Sequence, residues 1–211
     1  MPKKEIKIRR ASINDIDDII NIWRLLKHDV RYQVRLIFQR PWLLDIINAT
    51  TCEVYVALLS NIIVGFVIIT FDLLEFEKMK NKNKPPFWLR LITILLYPTA
   101  LKYALNSKLN DLIIYLSCNK VDQIYPQESN YNNIIIISHI AVNTKYQKMG
   151  IAKIILSTIE NRAVELKRNI IKIDTYSIYK RAISLYEYYG YVRTRSNNKN
   201  NECIELKKII F

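Results

Sequence analysis

The stretch IIIISHIAV, residues 134–142, constrains this chain more than any other, because it offers almost nothing polar to water. An alternating strand can lay one side on a core and turn the other outward. One that is apolar nearly throughout must be covered on both faces, as parallel strands in a layered domain are. The residues downstream of it carry the same implication. The connector NTKYQ leads into a turn and helix, KMGIAKIILSTIENRAVEL, then a second apolar strand, IIKIDTY, a second helix, YKRAISLYEYYG, and the closing strands YVRTR and CIELKKIIF. Strand, helix, strand and helix in this order make a right-handed crossover unit, whose loops fall where ligands bind.

Upstream, EIKIRR at residues 5–10 alternates as a first strand, and Ser12 and Asp15 stand like a capping pair at a helix start. Ile16, Ile19, Ile20 and Trp23 recur at helical spacing and give that helix a core-facing stripe. A second, more basic helical stretch covers Asp29 to Ile47, broken near Pro41. EVYVALLSNIIVGFVIITF then reads as a hairpin turning at Ser60-Asn61, with Gly65 marking a bulge or a close backbone approach.

The middle of the chain departs from this regularity. EFEKMKNKNKPP, from Glu75, is charged and reads as loop; FWLRLITILLYPTALKYAL, residues 87–105, is apolar but split by Pro98. Its uninterrupted apolar run is shorter than the roughly 20 residues that a bilayer core requires. Buried or partner-covering helices come first as a reading, an amphipathic membrane-surface segment second and a true span third. SCNKVDQIYPQESNYNN reads as loop, no internal repeat is evident, and only NNKNN at 197–201 is low in complexity.

With 211 residues the chain fits one domain, and with half of them hydrophobic it can fill a core. The net charge of +13 predicts attraction to an anion: nucleic acid, an acidic membrane face or a polyanionic cofactor. Charge alone does not choose among them. Cys52, Cys118 and Cys203 lie far apart without a CxxC, and His28 and His139 are the only histidines, which argues against a structural zinc site or a disulfide framework and for a reducing cytoplasm. The opening MPKKEIKIRRASIND lacks the apolar core of a signal peptide.

The chain has only three glycines, and one, Gly150, stands between a strand and a helix in YQKMGIA. The first four N–H groups of a helix lack internal partners and its dipole is positive there, so such an end suits an anion. A side chain at Gly150 would stand between backbone and phosphates, Ala152 is small for the same reason, and Lys148 and Lys153 add positive charge. The plainer alternative is a glycine that ends a loop and an alanine that packs. Neither GxxxxGK[ST] nor GxGxxG occurs, so neither a P-loop nor a dinucleotide fold is supported.

Gln147-Lys148-Met149-Gly150-Ile151-Ala152 nevertheless resembles the Q/R-x-x-G-x-G/A motif of the GNAT superfamily of acyl-CoA-dependent N-acetyltransferases. Ile140-Ala141-Val142 is similar to the Leu/Ile-Ala-Val run that ends the family's preceding strand, and AISLYEYYGY, residues 182–191, to its A-x-x-L/F-Y-E-K-x-G-F segment. Gly65 sits where the family's third strand often carries a glycine. The resemblance is specific over residues 134–195 and loose over 5–70, while 72–133 exceed the family core as an insertion. It implies an α+β, three-layer fold over residues 1–211: a mixed, mostly antiparallel twisted sheet with a splayed parallel strand pair, flanked by helices, plus a helical insertion.

The resemblance also implies the site. Acetyl-CoA would lie between IIIISHIAV and IIKIDTY, its pantetheine arm on the backbone of Ile140, Ala141 and Val142, and its pyrophosphate on the N–H groups of Gln147, Lys148, Met149, Gly150, Ile151, Ala152 and Lys153. Tyr186 matches the family's tyrosine, whose phenol can donate a hydrogen bond to the leaving sulfur. Tyr179 stands where the family often has an asparagine that holds the pantetheine arm, so this contact is altered and acyl preference with it. The oxyanion would fall to the backbone near Val142.

The base is not legible. His139 has a suitable ordinary pKa range, but strand alternation sets it opposite the substrate side, with Ser138 on the other face; Asp174 on the second splayed strand is a further candidate, as is bulk water. The implied function is acetyl transfer from acetyl-CoA to a primary amine by direct attack in a ternary complex, without a metal. A catalytically inactive CoA-binding or regulatory module is the alternative. Nucleic acid is not expected as a partner, since no motif supports it beyond charge. A homodimer and peripheral membrane contact through 87–105 both stay open.

Overall fold

The computed structural model describes residues 5–26, 39–82, 133–177, 179–194 and 203–210. Strand β1 (Ile6–Arg10) leads through a 3-10 turn into helix α1 (Ile16–Leu26), and helix α2 (Gln39–Asn48) precedes the hairpin β2 (Cys52–Leu59) and β3 (Ile62–Thr70). Helix α3 (Leu73–Lys82) follows, then β4 (Ile134–Val142), helix α4 (Ile151–Glu165), β5 (Ile170–Tyr176), helix α5 (Lys180–Tyr188), β6 (Val192–Thr194) and β7 (Cys203–Ile209). The strands form one seven-stranded sheet in the order β1-β2-β3-β4-β5-β7-β6. Among the described residues, only β4 and β5 pair in parallel; the other neighbours are antiparallel. Thus β7 is an interior strand, and β1 and β6 are the sheet's edges.

Two apolar layers cover the sheet. Ile134 and Ile136 of β4 pack with Trp23 of α1, Trp42 and Ile46 of α2, and Phe76 of α3. Ile135 and Ile137, pointing the other way, pack with Ile151, Ile155 and Ile159 of α4. This explains the unbroken apolar run that made β4 conspicuous: it lies in the middle of the sheet, with a helical layer on each side.

Local signals behave as their chemistry dictates. Ser60 and Asn61 both have positive φ, 51° and 66°, the twist that closes a two-residue hairpin. The Asp15 carboxylate accepts from the Ser12 N–H at 2.6 Å and from its hydroxyl at 2.9 Å, and Arg9 grips the same carboxylate with two bonds of 2.7 and 2.8 Å. That grip, with the Ser12 bonds, holds the Asp15 carboxyl well below its usual range, at about 2.

The sequence reading is corrected in one place. The segment from Glu75, read as loop, is helical to Lys82: Asp72 caps it by accepting from the Glu75 N–H at 3.0 Å, and Leu73 and Phe76 give it a buried stripe beneath the charges. Pro41 lies in the first turn of α2, where its missing N–H costs no intrahelical bond, and the stretch before Gln39 lies outside the described residues. Residues 29–38, the segment 87–105 and, of the expected insertion at 72–133, residues 83–132 lie outside the described residues.

Candidate active site

The site begins where β4 and β5 part. Their parallel ladder runs from Ile134 and Ile170 to Ile137 and Ile173 and then stops, although β4 continues to Val142 and β5 to Tyr176. Each strand stays anchored on its outer side, β4 to β3 as far as Val142 opposite Gly65, and β5 to β7 as far as Tyr176 opposite Cys203. Beyond the last rung, the inner edges therefore carry backbone donors and acceptors with no ladder bond between them. Such an opening can take an extended chain by backbone pairing.

A bulge opens it. Ile68 of β3 faces His139 while Ile69 faces Ile137, so Ser138 is an extra residue in the ladder. Its hydroxyl donates to the Ile68 carbonyl at 3.1 Å. The bulge also resets alternation. His139 falls in with Trp23 and Trp42, at ring separations of 5.0 and 5.4 Å, on the face away from α4. Unbroken alternation from Ile135 and Ile137 would have put it on the face that α4 covers.

The loop after β4 is built by short-range bonds. Asn143 donates its N–H to the Val64 carbonyl at 2.8 Å, and its side chain accepts from the Lys145 N–H at 3.1 Å. The Gln147 side-chain amide donates back to the Val142 carbonyl at 3.3 Å. Lys148 and Gly150 then take positive φ, 66° and 79°, and Gly150 caps α4. The first helical bond runs from the Ile154 N–H to the Gly150 carbonyl, so the N–H groups of Gly150, Ile151, Ala152 and Lys153 have no intrahelical acceptor. A Cβ at Gly150 would meet no protein atom within 4 Å, so glycine answers here to conformation and to whatever lies outside the loop, not to packing.

Gly65 fixes how close this loop stands to the sheet. A Cβ there would come 2.9 Å from the Ala141 carbonyl oxygen, 3.3 Å from Ile155 and 3.4 Å from Ile151. Its absence lets the first turns of α4 press on β3 beside the end of β4. Ile151 is 1% exposed, so it contributes its N–H to the loop while its side chain anchors the helix. Gln147, Lys148, Met149 and Lys153 are exposed and Ala152 is half-buried.

The remaining expected residues divide. Tyr186 of α5 is 5% exposed and joins the cluster that includes Ile137 and Ile173, the last rung before the opening. Burial pushes its phenol up to about 12, keeping it a neutral donor across physiological pH. Tyr179 instead stands at the N-terminus of α5, half-exposed, without a side-chain cap bond. Ile140, Ala141 and Val142 lie along the unpaired inner edge of β4.

The pattern of α4 on the sheet was only partly legible in the sequence. Glu53, buried on β2, accepts from Arg162 of α4 at 2.9 and 2.6 Å and from the Tyr55 hydroxyl at 2.6 Å, with Arg10 at 3.3 Å. Burial pushes its carboxyl up, but the bonds from Arg162 and Tyr55 outweigh this and hold it below the usual range. A glutamate inside an apolar strand was the available signal, since a buried carboxylate demands a partner.

The family model described as Acetyltransferase (GNAT) family matches residues 16–191. The chain belongs to the GNAT acetyltransferase family. Solved GNAT-like structures share its fold. Ard1 from Thermoplasma volcanium is 13% identical with a TM-score of 0.54, covering 98% of each chain. The ribosomal-protein-S18-alanine N-acetyltransferase from Escherichia coli is 11% identical with a TM-score of 0.55, covering 98% of this chain and 94% of its own. The PaiA N-acetyltransferase from Thermoplasma acidophilum, solved in complex with coenzyme A, is 10% identical with a TM-score of 0.60, covering 97% and 99%. At these identities the likeness is one of fold. No curated protein matches the chain in sequence. Among the described residues, no helix is long and apolar enough to cross a membrane, and no group of three or more metal-ligating side chains lies together.

Proposed function

We propose that this GNAT protein transfers an acetyl group from acetyl-CoA to a primary amine, by direct attack within a ternary complex. One observation carries the reading: the unpaired inner edges of β4 and β5 lie beside a helix N-terminus whose free N–H groups follow a left-handed glycine. An extended amide-bearing arm fits the first feature and a pyrophosphate the second. Acetyl-CoA supplies the acetyl thioester; the protein supplies alignment, charge and proton handling. Ile140, Ala141 and Val142 would pair with the arm, and the N–H groups from Gln147 to Lys153 would hold the diphosphate, with Lys148 and Lys153 adding charge. Tyr186, neutral and buried beside the last rung, would donate to the departing sulfur.

Calorimetric titration of the full chain with acetyl-CoA tests this reading, with Gly150→Glu as control. The expected result is saturable binding that the variant loses, together with transfer to at least one amine in a panel. Binding without turnover would reduce the protein to a CoA-binding or regulatory module. Failure of the folded wild type to bind overturns the reading altogether.

A further inference from the structure

The cofactor side of the opening does not account for His139 and Asp174, and both lie at the position where β4 and β5 part. With the last rung at Ile137 and Ile173 and Ser138 bulged out, His139 is the next ladder residue on β4 and Asp174 the next residue on β5. They also share a face. His139 packs edge-on to Trp23 and Trp42, away from α4. Asp174 alternates with Ile171 and Ile173, which are buried on the α4 side, and β5 pairs with β7 without a break from Ile170 to Tyr176. Asp174 therefore points away from α4 as well, and both side chains are half-buried. Ile155, Ile159 and Tyr186 belong to the buried cluster on the α4 side, the face opposite to the one that carries this pair.

We propose that His139 and Asp174 form the site for the acceptor's ammonium group, Asp174 as its counter-ion and His139 as the group that takes its proton. This deepens the proposed acetyl transfer and rests on it. An ammonium cannot attack until it loses a proton, and imidazole is the side chain whose ordinary range suits that task near neutrality. One proton passes from the ammonium to His139 and on to water. The freed nitrogen lone pair forms the bond to the carbonyl carbon as the carbon–sulfur bond breaks. The second proton is transferred to the departing sulfur, Tyr186 serving as donor and being reprotonated from the attacking nitrogen. The sum is one amide, one thiol and one released proton.

The surroundings suit the roles. The indoles of Trp23 and Trp42 stand at 82° and 68° to the imidazole and fix its plane. The Trp42 indole N–H is buried without a hydrogen bond among the described residues, a donor that a bound molecule's oxygen would satisfy. The parts of α1, α2, α3 and β3 packed on this face contribute Trp23, Trp42, Phe76 and Phe66, all apolar or aromatic. The charged groups on the same face come from β5 and β7: Lys172 beside Glu205 at 3.9 Å, and Lys207 beside Glu205 at 3.4 Å. One carboxylate, Glu205, thus faces two lysines there, and Asp174, opposite Glu205 in the ladder, is the carboxylate of β5 on this face.

The test uses full-length protein with acetyl-CoA and three probes: spermidine, polylysine and a tetrapeptide with a free N-terminus. In His139→Gln, kcat should fall by about a hundredfold and the acid limb of its pH profile should vanish, with acetyl-CoA affinity by calorimetry unchanged. Asp174→Asn should raise KM for the amine about tenfold while kcat holds, as expected when a counter-ion to the bound ammonium is removed. Nuclear magnetic resonance of the imidazole gives a readout that needs no turnover: Asp174→Asn should lower the pKa of His139, whose signal is assigned by its loss in His139→Gln. A wild type that turns over while His139→Gln matches it, or an imidazole indifferent to Asp174→Asn, overturns this inference alone. A wild type that binds acetyl-CoA yet acetylates none of the probes overturns the proposed transfer and this inference with it.

Discussion

The two faces of the sheet are built from different materials. On the α4 side the core is largely aliphatic, with Ile135, Ile137, Ile151, Ile155 and Ile159 interlocked and Glu53 clamped by Arg162 at the rim. On the other side Trp23, Trp42, Phe66 and Phe76 gather round a histidine. The aliphatic face fixes one helix at one distance, as the proposed cofactor site requires. The aromatic face holds a titratable group in place. Breaking each face should therefore give a different phenotype, loss of cofactor binding from one and altered handling of the amine from the other.

The largest effect belongs to the α4 face. Gly150→Glu puts a carboxylate at the helix N-terminus proposed to hold the diphosphate and forces a side chain into positive φ, so acetyl-CoA affinity should fall more than about a hundredfold by calorimetry. Gly65→Val sharpens the comparison, because its Cβ would stand 2.9 Å from the Ala141 carbonyl and push α4 outward. Acetyl-CoA binding should weaken about tenfold, with a lowered urea midpoint. Should Gly65→Val bind normally, the distance between α4 and the sheet does not set the cradle.

Glu53→Ala probes the same face without touching the loop. It strands Arg162, Tyr55 and Arg10 around an emptied acceptor site, and the loss should be about 3 kcal/mol in urea unfolding. Asp15 comes next and belongs to the aromatic side through α1. Its carboxyl lies at about 2 when folded and at 3.8 otherwise, so its contribution is full above pH 4 and is lost as pH falls through 2. Arg9→Ala should remove about 1 kcal/mol of stability at pH 6, since Ser12 shares the shift and water screens the half-exposed guanidinium, and little at pH 2.

The same two faces explain what the sequence disclosed. The strand-turn-helix around Gly150 was legible because its parts are local: Gly150, Ala152 and the strand before them lie in one short stretch, and each residue type answers to backbone geometry. Strand order within the hairpin and the capping by Ser12 and Asp15 were legible for the same reason. The face of His139 was not, because a single extra residue, Ser138, reverses alternation and is visible only in the register with Ile68 and Ile69. The Glu53–Arg162 clamp joins residues far apart in the chain, and periodicity carries no pairing information at that range. Helix α3 was hidden by its charges, which dominate the composition of a segment whose core-facing stripe is Leu73 and Phe76 with the partly buried Met79.

The smallest effect tests Tyr186, the buried tyrosine proposed as donor to the departing sulfur. Its phenol is pushed up to about 12 by burial, against 10.0 unperturbed, so the folded protein holds that proton more tightly than the unfolded chain. Above pH 10 the unfolded chain loses the proton first, and stability must decline as pH rises from 10 towards 12, by about 1 kcal/mol at pH 11 from this group. Tyr55, also raised to about 12, and Tyr191 add to the slope in the same direction. Tyr186→Phe should flatten the alkaline decline without abolishing it and lower kcat about tenfold at pH 8, while acetyl-CoA affinity stays as it was. Urea midpoints at pH 8 and 11 read the first effect and steady-state rates the second. A variant that loses the alkaline slope but keeps its kcat would assign Tyr186 to the aliphatic core alone, and the departing sulfur would then take its proton from water.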